Sequence, residues 1–187
     1  MPAPDTQRRI LDAALAVMSR HGLSRLALED VAREAGVSRQ TVYRYAGNRE
    51  GLIQQTILRE EDAFLDRMRA ASDEHTELRA ALAASIEAAL DTARAHPLLD
   101  RLLATEPHVL LPFLTDGSGP VLSAAKTVVG EVLDRFLPDM SLTGRERAAD
   151  AATRLFVSYA ISPAEVDNAH LAEALADLLA AGVPSLD

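Results

Sequence analysis

A dense group of hydrogen-bonding side chains begins at Ser38. Arginine can donate two hydrogen bonds to the edge of guanine, glutamine can pair with adenine, and a threonine methyl can contact the methyl group of thymine. Tyrosine hydroxyls and flanking arginines are better suited to phosphate oxygens, which position a protein on a duplex. The chemistry of this group therefore predicts contacts to double-stranded DNA through Ser38, Arg39, Gln40, Thr41, Tyr43, Arg44, Tyr45 and Arg49.

Two short helices joined by a tight turn would present these side chains. The pattern predicts helices over about 28–35 and 39–45, with Gly36 at a turn that requires a positive φ and Ser38 as the cap of the second helix. The exposed first turn of that helix is then Arg39-Gln40-Thr41, as in a recognition helix whose N-terminal residues meet base edges. An ordinary helical hairpin with a glycine turn has the same spacing, so spacing alone leaves both interpretations open. The apolar residues that pair the two helices are Val31, Ala32, Ala35, Val37 and Val42.

The charge of the chain is unevenly distributed. The net charge is −9, but residues 1–50 contain eight arginines and six acidic residues, whereas residues 51–187 contain 11 basic and 22 acidic residues. A mildly basic head on an acidic body would approach phosphates with one end only.

Several classes of protein lack support in the sequence. There is no cysteine, no phosphate-binding glycine loop, no HExxH segment and no serine nucleophile motif. The five histidines do not form a pair at i, i+4. We expect no enzyme, no catalytic residue, no metal and no cofactor. No apolar run approaches the roughly 18 residues of a spanning helix, and no secretory signal is recognisable, so we expect a cytoplasmic protein with no membrane partner.

The whole chain reads as helical, because no stretch alternates with a period of two. We predict an all-α fold of about nine helices, with a domain boundary near residue 50. After the head, a long helix follows Asn48, and further helices are predicted over about 76–95, 97–104, 107–114 and 120–136. Capping boxes predict that the last two helices start at Thr143-Gly-Arg-Glu146 and at Ser162-Pro-Ala-Glu165.

The segment Gly22 to Leu52 resembles the DNA-binding head of the tetracycline-repressor (TetR-type) family of bacterial transcription regulators. The resemblance is carried by Gly22-Leu23, Asp30-Val31-Ala32, Ala35-Gly36-Val37-Ser38, Thr41-Val42-Tyr43-Arg44-Tyr45 and Arg49-Glu-Gly-Leu52. Three positions depart from the family pattern. A Thr/Ser pair is replaced by Leu26-Ala27, a phenylalanine by Ala46 and a lysine by Arg49. The first change removes the usual cap of the second helix, and the second removes an aromatic anchor.

The resemblance implies two domains, a helix-turn-helix DNA-binding domain over 1–50 (with the hairpin at about 28–47) and a helical effector-binding and dimerisation domain over 51–187. It also implies a homodimer built from the last two helices, for which the candidate residues are Leu155, Tyr159, Val166, Leu171, Leu175, Leu178 and Leu179. The candidate lining of an effector pocket is Phe64, Met68, Leu82, Ile86, Leu102, Leu103, Phe113, Val128 and Phe156.

The function expected from the resemblance is that of a dimeric repressor. It would bind a palindromic operator through residues 38–45 and leave it when a small, largely apolar effector binds in the C-terminal domain. Two alternatives stay open at this point. The chain could be an activator without a small-molecule ligand, or a helical interaction protein of similar architecture that does not bind DNA.

Overall fold

The computed structural model describes residues 4–115 and 120–182, and these residues form ten helices and no strand. The all-α prediction is confirmed, with one helix more than the number expected. The helices are α1 (Pro4–His21), α2 (Leu28–Ala35), α3 (Arg39–Ala46), α4 (Arg49–Asp73), α5 (Leu78–Ala95), α6 (Pro97–Thr105), α7 (Pro107–Thr115), α8 (Pro120–Phe136), α9 (Leu142–Ile161) and α10 (Asn168–Gly182). None of the helices in these ranges is long and apolar enough to cross a membrane.

The chain divides into two compact units. Unit 1 contains the residues up to Asp62 together with His96–Leu110, so it is larger than the head of 50 residues that we drew from the sequence. In it α1 packs against α2 and α6, and α2 packs against α3. Its apolar residues recur at helical spacing on the faces turned inward, as an amphipathic helix requires. The largest fully buried side chains of unit 1 are Ile10, Met18, Val17, Val31, Val42, Leu52 and Thr56.

Unit 2 contains residues 63–95 and the chain from Leu111 onward. Here α5 packs against α8, α9 and α10, and α8 packs against α9. Alanines such as Ala81, Ala148 and Ala176 are almost completely buried, which allows the helices to approach closely. The largest fully buried side chains of unit 2 are Leu90, Leu122, Leu133, Val128 and Thr153.

The start of α9 differs from the prediction. The hydroxyl of Ser141 accepts a hydrogen bond from the backbone N–H of Gly144 at 3.0 Å, so Ser141 is the cap and Thr143 already lies within the helix. The predicted capping box at Thr143 is therefore wrong by two residues. Both Ser141 and Thr143 carry a hydroxyl near this boundary, and it is Ser141 that accepts the hydrogen bond from a free N–H of the first turn.

The start of α10 was predicted further from its observed place. Ser162 ends α9 rather than beginning the next helix, because its N–H bonds to the carbonyl of Ser158 at 2.9 Å. The helix begins at Asn168, after Asp167, whose carboxylate accepts from the N–H of His170 at 2.9 Å. The second predicted capping box is thus wrong, although its sequence fits the pattern.

Candidate nucleic-acid interface and internal cavity

The turn between α2 and α3 adopts the conformation that the sequence predicts. Gly36 has φ +63° and ψ +38°, in the left-handed region where a side chain would be strained. The N–H of Val37 bonds to the carbonyl of Ala32 at 3.0 Å. From α1, Arg9 donates to the carbonyl of Ala35 at 2.5 Å. The carbonyls at the end of α2 are therefore satisfied by the turn and by a cation, which suits the negative end of a helix.

The first turn of α3 is closed by its own hydroxyl groups. Ser38 accepts a hydrogen bond from the N–H of Thr41 at 3.1 Å, which confirms it as the cap of α3. The hydroxyl oxygens of the same two residues lie 2.9 Å apart. Both side chains are thus fixed relative to the backbone, with Ser38 exposed and Thr41 half-buried.

Arg39 is held by two neighbours on the surface. Its guanidinium forms an ion pair with Glu29 of α2 and donates to the hydroxyl of Tyr43 at 3.0 Å. The guanidinium carbon also lies 5.2 Å from the centre of the Tyr43 ring. The hydrogen bond to Tyr43 and the charge of Glu29 raise the pKa of Arg39. This arrangement leaves the guanidinium extended along the exposed face of α3.

The remaining predicted contact residues divide into two sets. Gln40, Tyr43 and Arg44 are exposed on α3 and join Ser38, Arg39 and the half-buried Thr41 on one stretch of surface. Tyr45 is different, because it is half-buried in a groove lined from α1 and α4. Burial raises the pKa of Tyr45, against the opposing influence of a hydrogen bond with Gln7 and the charge of Arg59.

Arg49 is directed at the loop between α1 and α2. Its Nε donates to the carbonyl of Leu26 at 3.0 Å, and its Nη2 donates to the carbonyl of Leu23. Arg49, which the sequence predicts as a phosphate contact, therefore holds the loop that leads into α2. A charged donor satisfying two carbonyls is a strong local constraint, since hydrogen bonds to charged groups are about twice as strong as neutral ones.

The same loop is held from its other side by Glu106, which follows α6. One carboxylate oxygen of Glu106 accepts from the N–H of Leu23 at 2.9 Å and from the N–H of Ser24 at 3.4 Å. Burial alone would raise the pKa of Glu106, but these hydrogen bonds hold it below its usual value. Gly22 has φ +84°, and a Cβ there would lie 2.7 Å from Glu106 Oε1. Only glycine allows this approach.

Two of the departures from the family pattern can now be placed. Ala27 precedes α2 with no side-chain cap, as the sequence predicts, and the loop before it is instead fixed by Arg49 and Glu106. Ala46 is buried at the end of α3. The next helix starts from Asn48, whose side chain accepts from the N–H of Gly51 at 2.7 Å, in agreement with the predicted cap.

Unit 2 encloses a narrow apolar cavity. Its free volume is about 30 Å³, which corresponds to two or three water molecules, since one water needs roughly 10–15 Å³. The described residues that line it come from α4, α5, α8, α9 and α10: Met68, Leu82, Ser85, Ile86, Ala89, Ala125, Val128, Val129, Val132, Ala152, Thr153, Phe156 and Leu179.

Five of the nine predicted pocket residues line this cavity, namely Met68, Leu82, Ile86, Val128 and Phe156. Phe64 packs against Phe156, with ring centres 5.8 Å apart. Leu102 and Leu103 belong to unit 1, and the side chain of Phe113 lies outside the described residues.

Comparison with known proteins agrees with this architecture. Residues 10–56 match the family model described as bacterial regulatory proteins of the tetR family. Residues 77–181 match the model described as the C-terminal domain of the bacterial tetracycline repressor. The chain belongs to the TetR family. It is therefore a DNA-binding transcription regulator with a helix-turn-helix head, and the proteins of this family are not enzymes.

Individual TetR-family regulators are similar to this chain over different shares of their length. The chain is 30% identical over 162 residues to the transcriptional regulator AlkX of Mycobacterium tuberculosis, covering 85% of this chain and 76% of that protein. It is 31% identical over 123 residues to the transcriptional repressor DrrR1 of Streptomyces coeruleorubidus, covering 63% of this chain and 42% of that protein. The crystal structure of the TetR-family repressor AlkX from a Dietzia strain has a TM-score of 0.73 and 28% identity, covering 95% of this chain and 97% of that one.

The predicted dimer residues do not share one environment. Leu171 and Leu175 are buried against Leu90 inside the subunit, with Leu155 and Tyr159 partly buried beside them. Leu179 lies against a second buried cluster of the same subunit. Leu178 and Val166 are 60% and 52% exposed, so they are the members of the set that face solvent.

Four residues with a place in these sites were not predicted. Glu29 and Glu106 were missed because carboxylates on a helix surface and after a helix have no distinctive spacing. Ser85 and Thr153 line the cavity as its only polar members among the described residues. Their sequence signal is a small hydroxyl residue on the apolar stripe of a helix, which is also common in ordinary cores.

Proposed function

We propose that this TetR-family regulator is a homodimeric repressor that binds a palindromic operator through the exposed surface of α3 and leaves it when an apolar effector enters unit 2. The observation that carries the proposal is the contrast between the two sites. One is a polar, exposed first helical turn, and the other is a cavity with almost no polar group.

The support for operator contact comes from the side chains on α3. Arg39, Gln40 and Thr41 stand in the first turn, where a recognition helix meets base edges. Arg39 is already held along α3 by its hydrogen bond to Tyr43, which lowers the entropy cost of placing it against a base. Arg44 and Tyr43 are exposed beside it and can donate to phosphates.

The support for a dimer comes from the exposed apolar residues of α10 and the segment before it. Leu178 and Val166 are large and exposed, and Ala174 is an exposed small residue on the same helix as Leu178. Leu178 lies four positions after Ala174, so the two exposed side chains share one face of α10, which a second copy of the chain would cover in the proposed dimer. Two copies related by a two-fold axis would place two α3 helices about one turn of DNA apart, roughly 34 Å, which requires a palindromic site.

The support for an apolar effector comes from the cavity and from the relatives. The Dietzia AlkX repressor is described as implicated in the biodegradation of n-alkanes. A cavity lined by Met68, Ile86 and Phe156 would exclude ions and accept a hydrocarbon chain. At about 30 Å³ it must expand to do so, and its walls include Met68 near the end of α4. Because α4 contains both Arg49 of the head and Met68 of the cavity wall, a ligand that displaces Met68 would act on a helix that continues into the head.

The decisive experiment is capture of genomic DNA fragments by the purified protein, followed by mobility shifts on the bound fragments. We expect a palindromic site near a promoter, retarded as one dimeric complex with a steep dependence on salt. Adding a medium-chain hydrocarbon or its oxidation products should release the DNA. If no apolar compound released the DNA, the proposed effector would be contradicted. If the protein bound its site as a monomer, the proposed dimer would be contradicted.

Substitution of the exposed Leu178 on α10 provides a separate test of the dimer. Leu178→Arg should shift the protein toward monomer in sedimentation equilibrium, because it places a charge at the centre of the proposed interface. Leu58→Arg, which adds the same charge at an exposed leucine of α4, outside the last two helices, is the matched control. A dimer that survives Leu178→Arg would show that another surface joins the subunits.

A further inference from the structure

Thr153 differs from three other helical threonines of this protein. The hydroxyls of Thr56, Thr105 and Thr127 each donate to the carbonyl four residues earlier, at 2.8, 2.8 and 3.1 Å. This is the usual way in which a threonine within a helix satisfies its proton. Thr153 is 1% exposed, and its hydroxyl has no hydrogen-bond partner among the described residues.

Thr153, the residue that carries this unsatisfied hydroxyl, is one of the residues that line the cavity in unit 2. A buried polar group without a partner is destabilising, and groups of this kind are rare in native proteins. The other polar side chain of the wall, Ser85, donates its proton to the carbonyl of Met68 at 3.1 Å and is therefore committed. Thr153 is thus the one described side chain that can donate a hydrogen bond to an occupant of this cavity.

No charged side chain is among the described residues that line the cavity. An ionised carboxylate buried there would lose its hydration without gaining a cation, whereas a hydroxyl or carbonyl needs only one hydrogen bond. A neighbouring cleft that shares Val128 and Val132 with the cavity contains two cations, Arg69 and Arg135. In that cleft Arg69 is already paired with Glu131, and Arg135 with Asp73.

We propose that Thr153 is the polar recognition point of the effector, and that the effector is an uncharged amphiphile. It would consist of a hydrocarbon chain with a single hydroxyl or carbonyl group, and not of an alkane without a polar end or a fatty acid anion. The inference rests on the proposed function, because it names the chemical class that the apolar cavity would bind.

The test compares three ligands of equal chain length, n-octane, 1-octanol and octanoate, by displacement of a fluorescent apolar probe from the full-length protein. Thr153→Val keeps the shape of the side chain but removes the hydroxyl, and Thr153→Ser restores it. Thr127→Val serves as the matched control, since it removes an exposed, satisfied hydroxyl from α8 of the same unit. Melting curves of the unliganded variants report their folding.

We expect the Thr153→Val variant to bind 1-octanol about tenfold more weakly, which is the worth of one hydrogen bond to a neutral group. Octane affinity should stay the same, Thr153→Ser should recover most of the loss, and Thr127→Val should have no effect. The unliganded Thr153→Val variant should melt at a higher temperature, because it no longer buries an unsatisfied hydroxyl.

Two results would overturn the inference while leaving an apolar effector in place. One is equal binding of octane and octanol with no effect of Thr153→Val. The other is tighter binding of octanoate that is lost in Arg69→Gln, which would place an anionic group in the neighbouring cleft. Failure of all three ligands to displace a probe that does bind would contradict this inference. If larger apolar compounds still released operator DNA, the proposed function would survive that failure.

Discussion

The recognition hairpin and the cavity of unit 2 treat polar groups in opposite ways. Around the hairpin, polar side chains near α3 are tied to a neighbour, Ser38 to Thr41 and Arg39 to Glu29 and Tyr43. In the cavity, the wall is apolar, and the buried hydroxyl of Thr153 has no partner within the part of the chain that the structure describes.

The difference follows from the partner that each region is proposed to meet. Base edges and phosphates are fixed arrays of hydrogen-bonding groups, so a surface that reads them gains from side chains held in place beforehand. An apolar ligand has no such array, and its binding depends mainly on buried surface with a single directional contact. Changes to the hairpin should therefore act on geometry and stability, whereas changes to the cavity should act on ligand selectivity.

Arg39→Ala should have the largest effect on DNA binding, and it tests whether the exposed side chains of α3 contact the bases. Loss of a bidentate contact to a base costs about 1–3 kcal/mol, and a dimer would lose it at both half-sites. Operator affinity measured by mobility shift at fixed salt should fall by at least about tenfold.

Arg33→Ala is the control for Arg39→Ala, because Arg33 is also an exposed, ion-paired arginine but lies on α2. Its loss should change affinity little at moderate salt. Equal effects of the two substitutions would mean that the hairpin contributes only general positive charge.

Arg49→Met should have the largest effect on stability, because it removes the donor that satisfies the carbonyls of Leu23 and Leu26. Two hydrogen bonds to a charged group are lost, so we expect the free energy of unfolding measured in urea to fall by about 2 kcal/mol or more. Arg44→Met, on the exposed face of α3, is the matched control and should leave stability unchanged. If Arg49→Met instead lowered operator affinity without affecting stability, Arg49 would be the phosphate contact predicted from the sequence.

Glu106→Gln should have a smaller effect that depends on pH. The folded-state pKa of Glu106 is lowered by its hydrogen bonds with Ser24 and Leu23. Its contribution to stability is therefore complete above the unfolded pKa and disappears as the pH falls through the folded one. The wild-type protein should exceed the variant by about 1 kcal/mol near pH 7, and the two urea midpoints should converge below about pH 4. A gap of constant size from pH 7 to pH 3.5 would show that the charge of Glu106 is irrelevant to the loop.

The hairpin was predictable from the sequence because its determinants are local. Gly36, Ser38 and Asn48 act within four residues of their own positions, so a turn and two caps could be assigned from spacing. The predicted starts of α9 and α10 were wrong for a related reason. Several residues near those boundaries can accept from a free N–H, and tertiary packing decides between them.

The partners that come from distant parts of the chain could not be predicted in this way. Glu106 reaches Leu23 across 83 positions, and Arg9 reaches Ala35 across 26. Periodicity indicated the apolar stripes that form the cavity, and five of the pocket residues predicted on these stripes line it. It could not show that Thr153 lacks a partner, because a threonine on an apolar stripe ordinarily bonds to its own helix.

Glu29→Gln is expected to have the smallest effect and sharpens the interpretation of Arg39. An exposed ion pair contributes little, so releasing Arg39 from Glu29 should tighten operator binding by no more than about fivefold. Glu34→Gln makes the same charge change on the same helix, but its partner is Arg20, so it reports the general effect of removing one negative charge. If Glu29 competes with DNA for Arg39, Glu29→Gln should exceed this control, and the excess should vanish when Arg39 is alanine. If Glu29 instead holds Arg39 in its binding orientation, Glu29→Gln should weaken binding while Glu34→Gln does not, and preorganisation would then outweigh the charge penalty.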